Sequence, residues 1–224
     1  MAAKLTVAGA TLIADPSGAL VWPREGLLVV ADLHLEKGSA LARRGTLLPP
    51  YDTRTTLARL EAVLARWAPR RVISLGDGFH DSDGSRRLAV ADRRRLAELV
   101  AAHDWIWLPG NHDPLPPEGL GGQVEAAVRI DGLTFCHTPE PDPEPGEVAG
   151  HLHPSAGITL RGRRVVRPCF VADQRRIVLP AFGSYTGGLN LRDAAIAGLF
   201  DGAYRAYLLG QRRIHVLGRA QIEG

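Results

Sequence analysis

Three short apolar segments, each followed directly by a polar cluster, constrain the fold of this 224-residue sequence more than any other feature. The segments are Leu27 to Ala31, Arg71 to Leu75 and Trp105 to Leu108. Short apolar runs of this kind are typical of strands buried on both faces of a sheet. The clusters that follow them, DLH, GDGFHD and GNHD, are rich in Asp, His and Asn. The sequence therefore predicts three buried strands that end in polar loops.

Helical segments separate these strands. In Thr53 to Trp67, the residues Leu57, Leu60 and Leu64 recur at offsets of three and four, which places them on one face of a helix. Arg86 to His103 is predicted to form a second helix. Alternation of strands and helices implies parallel strands with right-handed crossovers. Such sheets have their functional loops at the carboxyl ends of the strands, where the three polar clusters lie.

The second half of the chain has a different pattern. Its short strand-like pieces are Val128 to Cys136 with a turn at Asp131 and Gly132, Gly157 to Leu160, Val165 to Val171, and Arg176 to Leu179. They predict a second sheet. The acidic, proline-rich segment Thr138 to Gly146 is expected to be a surface loop, Arg192 to Phe200 a short helix, and Ala206 to Leu217 a hairpin. No repeat or linker divides the chain, so one domain over residues 1–224 is expected.

Composition limits the classes of function. No apolar run reaches the roughly 18 residues of a membrane-spanning helix, and the N-terminus lacks a signal-like segment, so we expect a cytoplasmic protein without a membrane partner. The net charge is +3, and Lys4 and Lys37 are the only lysines among 27 basic residues. An arginine-rich chain permits a polyanionic partner without requiring one. No helix-turn-helix, RRM or zinc-finger pattern indicates a pure nucleic-acid-binding module.

Seven potential metal donors occur in five clusters along the chain: Asp32, His34, Asp77, Asn111, His137, His151 and His153. Imidazole and carboxylate suit Mn, Fe and Zn, and two ions about 3.5 to 4 Å apart need a bridging carboxylate. Each cluster alone has a structural interpretation, since Asp and Asn form turns and a lone His is usually structural. Their occurrence together favours a binuclear site. In an extended segment, residues two apart point the same way, so DLH and HLH are each expected to aim both donors at one site.

The order D-x-H, G-D, G-N-H-D, H, G-H-x-H resembles the signature of the calcineurin-like metallophosphoesterases, from about Ala31 to Leu189. The contexts VADLHLEKG, LGDGFHD, GNHDP, RPCFV and PAFGSYTGGLN resemble one branch, the ligase-associated DNA damage response endonucleases of the PdeM type. This resemblance implies an α/β fold, a four-layer αββα sandwich in which helices flank two mixed β-sheets.

The same resemblance implies a role for each site residue. One metal would be held by Asp32, His34 and His153, the other by Asn111, His137 and His151, with Asp77 as the bridge. His112 would donate to the scissile phosphate or the leaving group, and Asp113 would orient it through its other ring nitrogen. The implied cofactors are two divalent ions, Mn²⁺ first with Fe or Zn as alternatives. The implied reaction is phosphodiester hydrolysis by a metal-bridging hydroxide.

Substrate contacts are predicted for four further residues. His80 follows the bridging Asp77 and has either a substrate-contacting or a structural role, whereas Lys37 with Arg43 and Arg44 could contact nucleic-acid phosphates. The leading hypothesis is a manganese-dependent DNA endonuclease or phosphodiesterase in DNA repair. By resemblance, its substrate would be single-stranded or flapped DNA, and it would be associated functionally with an ATP-dependent DNA ligase, a helicase and an exonuclease. The alternatives are a nucleotide or small-molecule phosphodiesterase and a non-catalytic scaffold on the same fold.

Overall fold

Two β-sheets pack face to face in the computed structural model, which describes residues 1–115, 117–160 and 162–222. In the first sheet the seven described strands are neighbours in chain order. These are β1 (Ala3–Val7), β2 (Ala10–Ala14), β3 (Leu20–Trp22), β4 (Leu27–Ala31), β5 (Arg71–Leu75), β6 (Asp104–Leu108) and β7 (Gln123–Val124). Strands β4 to β7 are parallel and β1 to β4 antiparallel, so the sheet is mixed.

The second sheet, with nine described strands, is also mixed. Its strands are β8 (Val128–Ile130), β9 (Leu133–Cys136), β10 (Glu147–Ala149), β11 (Pro154–Leu160), β12 (Arg163–Ala172), β13 (Arg176–Val178), β14 (Leu189–Asn190), β15 (Arg205–Leu209) and β16 (Ile214–Gly218). Their order is β14-β11-β12-β13-β10-β9-β8, and the β15–β16 hairpin pairs with β12. Strands β9, β10 and β13 are parallel to one another.

Helices cover the outer faces of both sheets. They are α1 (Lys37–Arg43), α2 (Asp52–Trp67), α3 (Gly84–Arg87), α4 (Val90–Ala101) and α5 (Ala194–Ala197). Leu57 of α2 and Leu96 of α4 pack in one cluster with Val30 of the first sheet. A second cluster fills the space between the sheets, and a third, with Ile196 and Phe200, covers the outer face of the second sheet. The predicted αββα layers are therefore confirmed, although the layer containing α5 is thin.

The predicted strands and the helix α2 agree with the structure to within a few residues, but the helix expected over Arg86 to His103 is wrong. That segment forms α3 and α4, and the chain between them is extended at Leu88 (φ −51°, ψ 131°) and Ala89 (φ −57°, ψ 144°). Leu88 is buried in the same hydrophobic cluster as residues of α2 and α4, which favours this extended backbone over a continuous helix. The helix expected over Arg192 to Phe200 is shortened to α5.

The proline-rich segment Thr138 to Gly146 is irregular, as predicted. Arg176 attaches this segment to the second sheet. Its guanidinium donates to the Glu140 carbonyl (2.9 Å) and lies 3.4 Å from the Glu147 carboxylate. Both Arg176 and Glu147 are buried, which makes this ion pair the anchor of the segment on the second sheet. No helix in the described part of the chain is both long enough and apolar enough to cross a bilayer.

Candidate metal centre

Five strand ends from the two sheets meet at one edge of the sandwich. Strands β4, β5 and β6 end in register at Ala31, Leu75 and Leu108, and β9 and β10 end side by side at Cys136 and Ala149. The sheets are joined here by hydrogen bonds, such as that from the backbone N–H of Phe182 to the Ala31 carbonyl. Each of these strands is followed by donor residues, so the topology directs the predicted clusters to one place.

The structure brings all seven predicted donors together in two groups. In the first, the donor atoms of Asp32, His34 and His153 lie within 4.8 Å of one another, and the same holds for Asp77, His137 and His151 in the second. The Oδ1 atom of Asn111 lies 3.1 Å from Nε2 of His137, which adds it to the second group. This division matches the one implied by the resemblance.

The carboxylate of Asp77 stands between the two groups. Its Oδ2 atom is 3.8 Å from Nε2 of His34 in one group and 3.7 Å from Nε2 of His137 in the other. Its Oδ1 atom accepts the backbone N–H of His112 at 2.9 Å, which fixes the rotation of the carboxylate. Oδ2 therefore has the position that a bridging ligand of two cations requires.

The orientation of His137 shows that the donor set fits a cation. Its Nδ1 atom donates to the Leu75 carbonyl at 3.0 Å, which turns Nε2 towards the site. There Nε2 lies 3.1 Å from Oδ1 of Asn111 and 3.2 Å from Nδ1 of His151. Imidazole, amide and carboxylate donors that converge in this way suit Mn, Fe and Zn.

Burial keeps the imidazoles of His34 and His151 neutral. Desolvation, aided by neighbouring histidines and Lys37, lowers the pKa of His34 to about 2. Burial also lowers the pKa of His151, with His137 as the next cause. A neutral imidazole has the free lone pair that a metal needs. The ligating form of these side chains is therefore present at neutral pH.

The expected reason for donor convergence is wrong, because the DLH and HLH segments are not extended. Their donors have left-handed backbones, with φ of 54° at Asp32, 42° at His34, 69° at His151 and 47° at His153. Such conformations cost about 1–3 kcal/mol for residues other than glycine and are concentrated at functional sites. Tight left-handed turns, rather than strand alternation, aim each pair of donors at the same site.

His112 and His80 lie together beside the first group. Their rings stack with centroids 5.0 Å apart, and the His112 ring is also 5.0 Å from that of His34. Nδ1 of His112 donates to the His80 carbonyl at 3.0 Å, which leaves Nε2 as the ring nitrogen that is available to a ligand. His34, His80 and His112 form a third group of clustered donors, but this group has no carboxylate.

Asp113 does not have the orienting role predicted for it. Its Oδ2 atom accepts the backbone N–H of Phe79 at 2.8 Å, and the His80 carbonyl holds the His112 ring in its place. Burial raises the pKa of Asp113 to about 7. Asp113 thus fixes the loop that carries Phe79 and His80, and it acts on His112 only through that loop.

Lys37 and Arg43 belong to α1, next to the site. The charge of Lys37 contributes to the lowered pKa values of both His34 and His80. Arg43 is exposed and lies 3.7 Å from Asp83. With Arg44, it lines an open cleft of about 440 Å³. In the sequence these two residues form an Arg-Arg pair, but pairs of this kind occur throughout the chain and do not by themselves indicate a binding site.

Glycines behind the donors complete the site. A Cβ atom on Gly110 would lie 2.0 Å from Oδ1 of Asp77, and one on Gly76 would lie 2.2 Å from Nδ1 of His137. Both close neighbours, Asp77 and His137, are candidate metal donors, so a side chain at either glycine would displace a donor. Gly183, to which the sequence analysis gave no role, is packed equally closely. A Cβ atom on it would lie 2.2 Å from the carbonyl of Leu33, the residue between the donors Asp32 and His34 in the sequence.

This fold and this constellation define a metal-dependent phosphoesterase. The family model described as calcineurin-like phosphoesterase matches residues 27–169, more than half of the sequence, so the chain belongs to that family. The resemblance noted from the sequence motifs is confirmed by this match.

Among solved structures, the Pseudomonas putida nuclease MPE is similar to this chain. The TM-score is 0.77 at 29% identity, over 97% of this chain and 100% of the nuclease chain. This likeness agrees with the resemblance to the endonuclease branch. The phosphoesterase Yfce from E. coli also matches, with a TM-score of 0.42 and 14% identity over 85% of this chain and 97% of that chain. No curated protein sequence matches.

Replacing Gly110 by alanine tests the packing behind Asp77. We expect saturating Mn²⁺, at about 100 times its Kd, to stabilise the wild type by roughly 2.7 kcal/mol. For a chain of this length that free energy raises the Tm by about 5–10 °C. Gly110→Ala should show a rise below about 2 °C, because the added methyl group displaces the bridging carboxylate.

Gly202→Ala is the matched control, since an added Cβ there meets no atom within 4 Å. The measurement is thermal unfolding with Mn²⁺ and with EDTA. An undiminished rise in Gly110→Ala would contradict the placement of the metals at Asp77.

Proposed function

We propose that the protein is a manganese-dependent DNA endonuclease or phosphodiesterase that hydrolyses single-stranded or flapped DNA in DNA repair. The observation that carries this proposal is the free oxygen of Asp77, equally placed between two donor groups, with the open Nε2 of His112 beside them. The likeness to a nuclease over nearly the whole chain supports a nucleic-acid substrate. We also propose that residues 1–224 act as one domain, since both sheets contribute donors and share one core.

The metal ligands follow from the two groups. Asp32, His34 and His153 would hold one cation, Asn111, His137 and His151 would hold the other, and Asp77 would serve both. Mn²⁺ is the proposed ion, and Fe or Zn would suit the same donors. When bound, two such ions lower the pKa of water and neutralise the charge on phosphate oxygens.

His112 is the proposed proton donor. The His80 carbonyl holds Nδ1, so protonation at Nε2 gives a ring that donates only towards the site, to the phosphate or to the leaving oxygen. His80 stacks on this ring and limits its rotation, and its own imidazole is placed to contact the substrate. Asp113 is a positioning residue, because its carboxylate fixes the Phe79–His80 backbone.

A polymeric substrate is favoured over a free nucleotide. A nucleotide-specific pocket encloses the base between aromatic rings, but Phe79, next to the site, is only 2% exposed, and Tyr185 lies on the surface. The cleft beside the site is open, and its wall carries Arg43 and Arg44, which can contact a nucleic-acid backbone. The two carboxylates on the same wall, Asp81 and Asp83, are paired with arginines. A cytoplasmic location and a functional association with an ATP-dependent DNA ligase, a helicase and an exonuclease are part of the proposal.

Cleavage of circular single-stranded DNA with Mn²⁺ tests the proposal. The wild type should open the circle, and His112→Ala should do so about 10²–10⁴ times more slowly, since a deoxyribose oxygen needs a proton to leave. Bis-p-nitrophenyl phosphate should be affected far less, because nitrophenolate leaves without protonation. Gel analysis of the circles and absorbance of nitrophenolate give the two rates.

The outcomes separate the alternatives. If only the small diester is hydrolysed, the protein is a phosphodiesterase and the DNA assignment is wrong. If neither substrate is hydrolysed with any of Mn²⁺, Fe²⁺ or Zn²⁺, the non-catalytic scaffold is correct.

Removing the two α1 cations tests the path of the DNA backbone. Lys37→Ala with Arg43→Ala should weaken binding of single-stranded DNA and reduce the slope of log K against log salt by about 1.4, at roughly 0.7 per lost phosphate contact. The control is Lys4→Ala with Arg94→Ala, which removes the same charge from the exposed side of β1 and from α4. Equal slopes in the two double variants would show that α1 does not contact DNA.

A further inference from the structure

Two tyrosines are exposed, although aromatic side chains are otherwise covered. Tyr51 is 59% exposed and Tyr185 is 42% exposed. Tyr204 and Tyr207 are buried. Over the described ranges, 1–115, 117–160 and 162–222, no Phe or Trp belongs to the exposed large hydrophobic residues. The aromatic surface of the described chain is thus concentrated at these two positions.

A single carbonyl group joins the two tyrosines. The oxygen of Pro49 accepts the hydroxyl of Tyr185 at 3.0 Å and the backbone N–H of Tyr51 at 2.8 Å. Leu47 and Leu48, just before Pro49, are also exposed. We call Leu47, Leu48, Tyr51 and Tyr185 the apolar rim. An exposed apolar surface of adjoining residues marks a place of contact with another molecule.

The rim is attached directly to the metal donors. The loop that carries Tyr185 begins with the N–H of Gly183, which donates to the Asp32 carbonyl at 3.1 Å. It ends with the N–H of Leu189, which donates to the His153 carbonyl at 3.1 Å. Asp32 and His153 belong to the same donor group, so Tyr185 lies on a short loop stretched between two ligands of one proposed metal.

The Tyr185 ring is held in place. Its backbone is left-handed (φ 60°), a conformation that is unfavourable for a bulky residue. The next backbone group upstream, the N–H of Ser184, donates to the hydroxyl of Thr56 on α2 at 2.9 Å. With its own hydroxyl bound to Pro49, the side chain is restrained at both ends while its face stays exposed.

We propose that Tyr185, with Tyr51 next to it, is a stacking platform for unpaired bases beside the scissile phosphate. This inference rests on the proposed nuclease function and deepens it by naming the feature that selects single strands. Every base has a π-face that stacks on an aromatic ring, whereas in a duplex that face is already covered. Arg43, the last residue of α1, and Arg44 shortly precede Leu47 in the chain and can neutralise the backbone of the strand whose bases stack.

The experiment compares Tyr185→Leu, which removes the ring, with Tyr185→Phe, which keeps it. For each protein the kcat/KM on a single-stranded oligonucleotide is divided by that on bis-p-nitrophenyl phosphate, so that general damage to the metal site cancels. We expect the ratio to fall about tenfold in Tyr185→Leu, mainly through KM, and to remain near the wild-type value in Tyr185→Phe. An unchanged ratio in Tyr185→Leu would overturn the inference.

A second test changes the substrate instead of the protein. Its deciding result comes from the wild-type protein, so it does not depend on whether a variant folds. Oligonucleotides with one abasic nucleotide, moved stepwise along the strand, are cleaved and the products are mapped. Cleavage should fall about tenfold at the linkage for which the missing base belongs on the platform, and this loss should be absent in Tyr185→Leu. Equal cleavage of all linkages by the wild type would overturn the stacking role. Failure of the wild type to cut any single strand would instead refute the proposed nuclease function.

Discussion

The free oxygen of Asp77 is the point on which the rest of the site depends. One carboxylate oxygen is bound to the His112 backbone, and the other faces an imidazole from each donor group at nearly equal distances. Each group takes donors from both sheets, so the distances within each group are set by how the sheets pack. A buried carboxylate is costly unless it is paired. The sandwich thus holds in place a set of buried donors of the kind that divalent cations bind.

The fold supports that arrangement through backbone geometry as much as through side chains. The donors Asp32, His34, His151 and His153 all have left-handed backbones, and glycines such as Gly76 and Gly110 allow other donors to approach the chain closely. Parallel strands bring the turns to one edge, and the core between the sheets fixes the edge itself. Backbone hydrogen bonds also position the apolar rim. The Gly183–Leu189 loop, which carries Tyr185, is hydrogen-bonded to the backbone carbonyls of the donors Asp32 and His153.

The sequence predicted the parts of this structure that rest on local pattern. Apolar runs followed by polar clusters predicted β4, β5 and β6 and placed Asp32, His34, Asp77 and Asn111 after them, because buried strands are apolar and their exposed ends are polar. The later His clusters supplied the other three candidate donors. Strands β1 to β3 were not predicted, although β1 and β2 do alternate buried and exposed residues. The break between α3 and α4 depends on the packing of Leu88, which no helical periodicity reveals. The role of Asp113 was wrong because it depends on which backbone N–H lies nearby in space. Family resemblance supplied the division of the donors between two metals, which spacing alone does not contain.

The most direct test of the central claim is the number of metal ions bound per chain. The purified protein is saturated with Mn²⁺, freed of excess metal, and analysed for manganese and protein, alongside Asp77→Ala. The account predicts two ions per wild-type chain and at most one in the variant, since the shared carboxylate serves both positions. A wild-type chain with a single ion, or a variant that retains two, would contradict a binuclear centre bridged by Asp77.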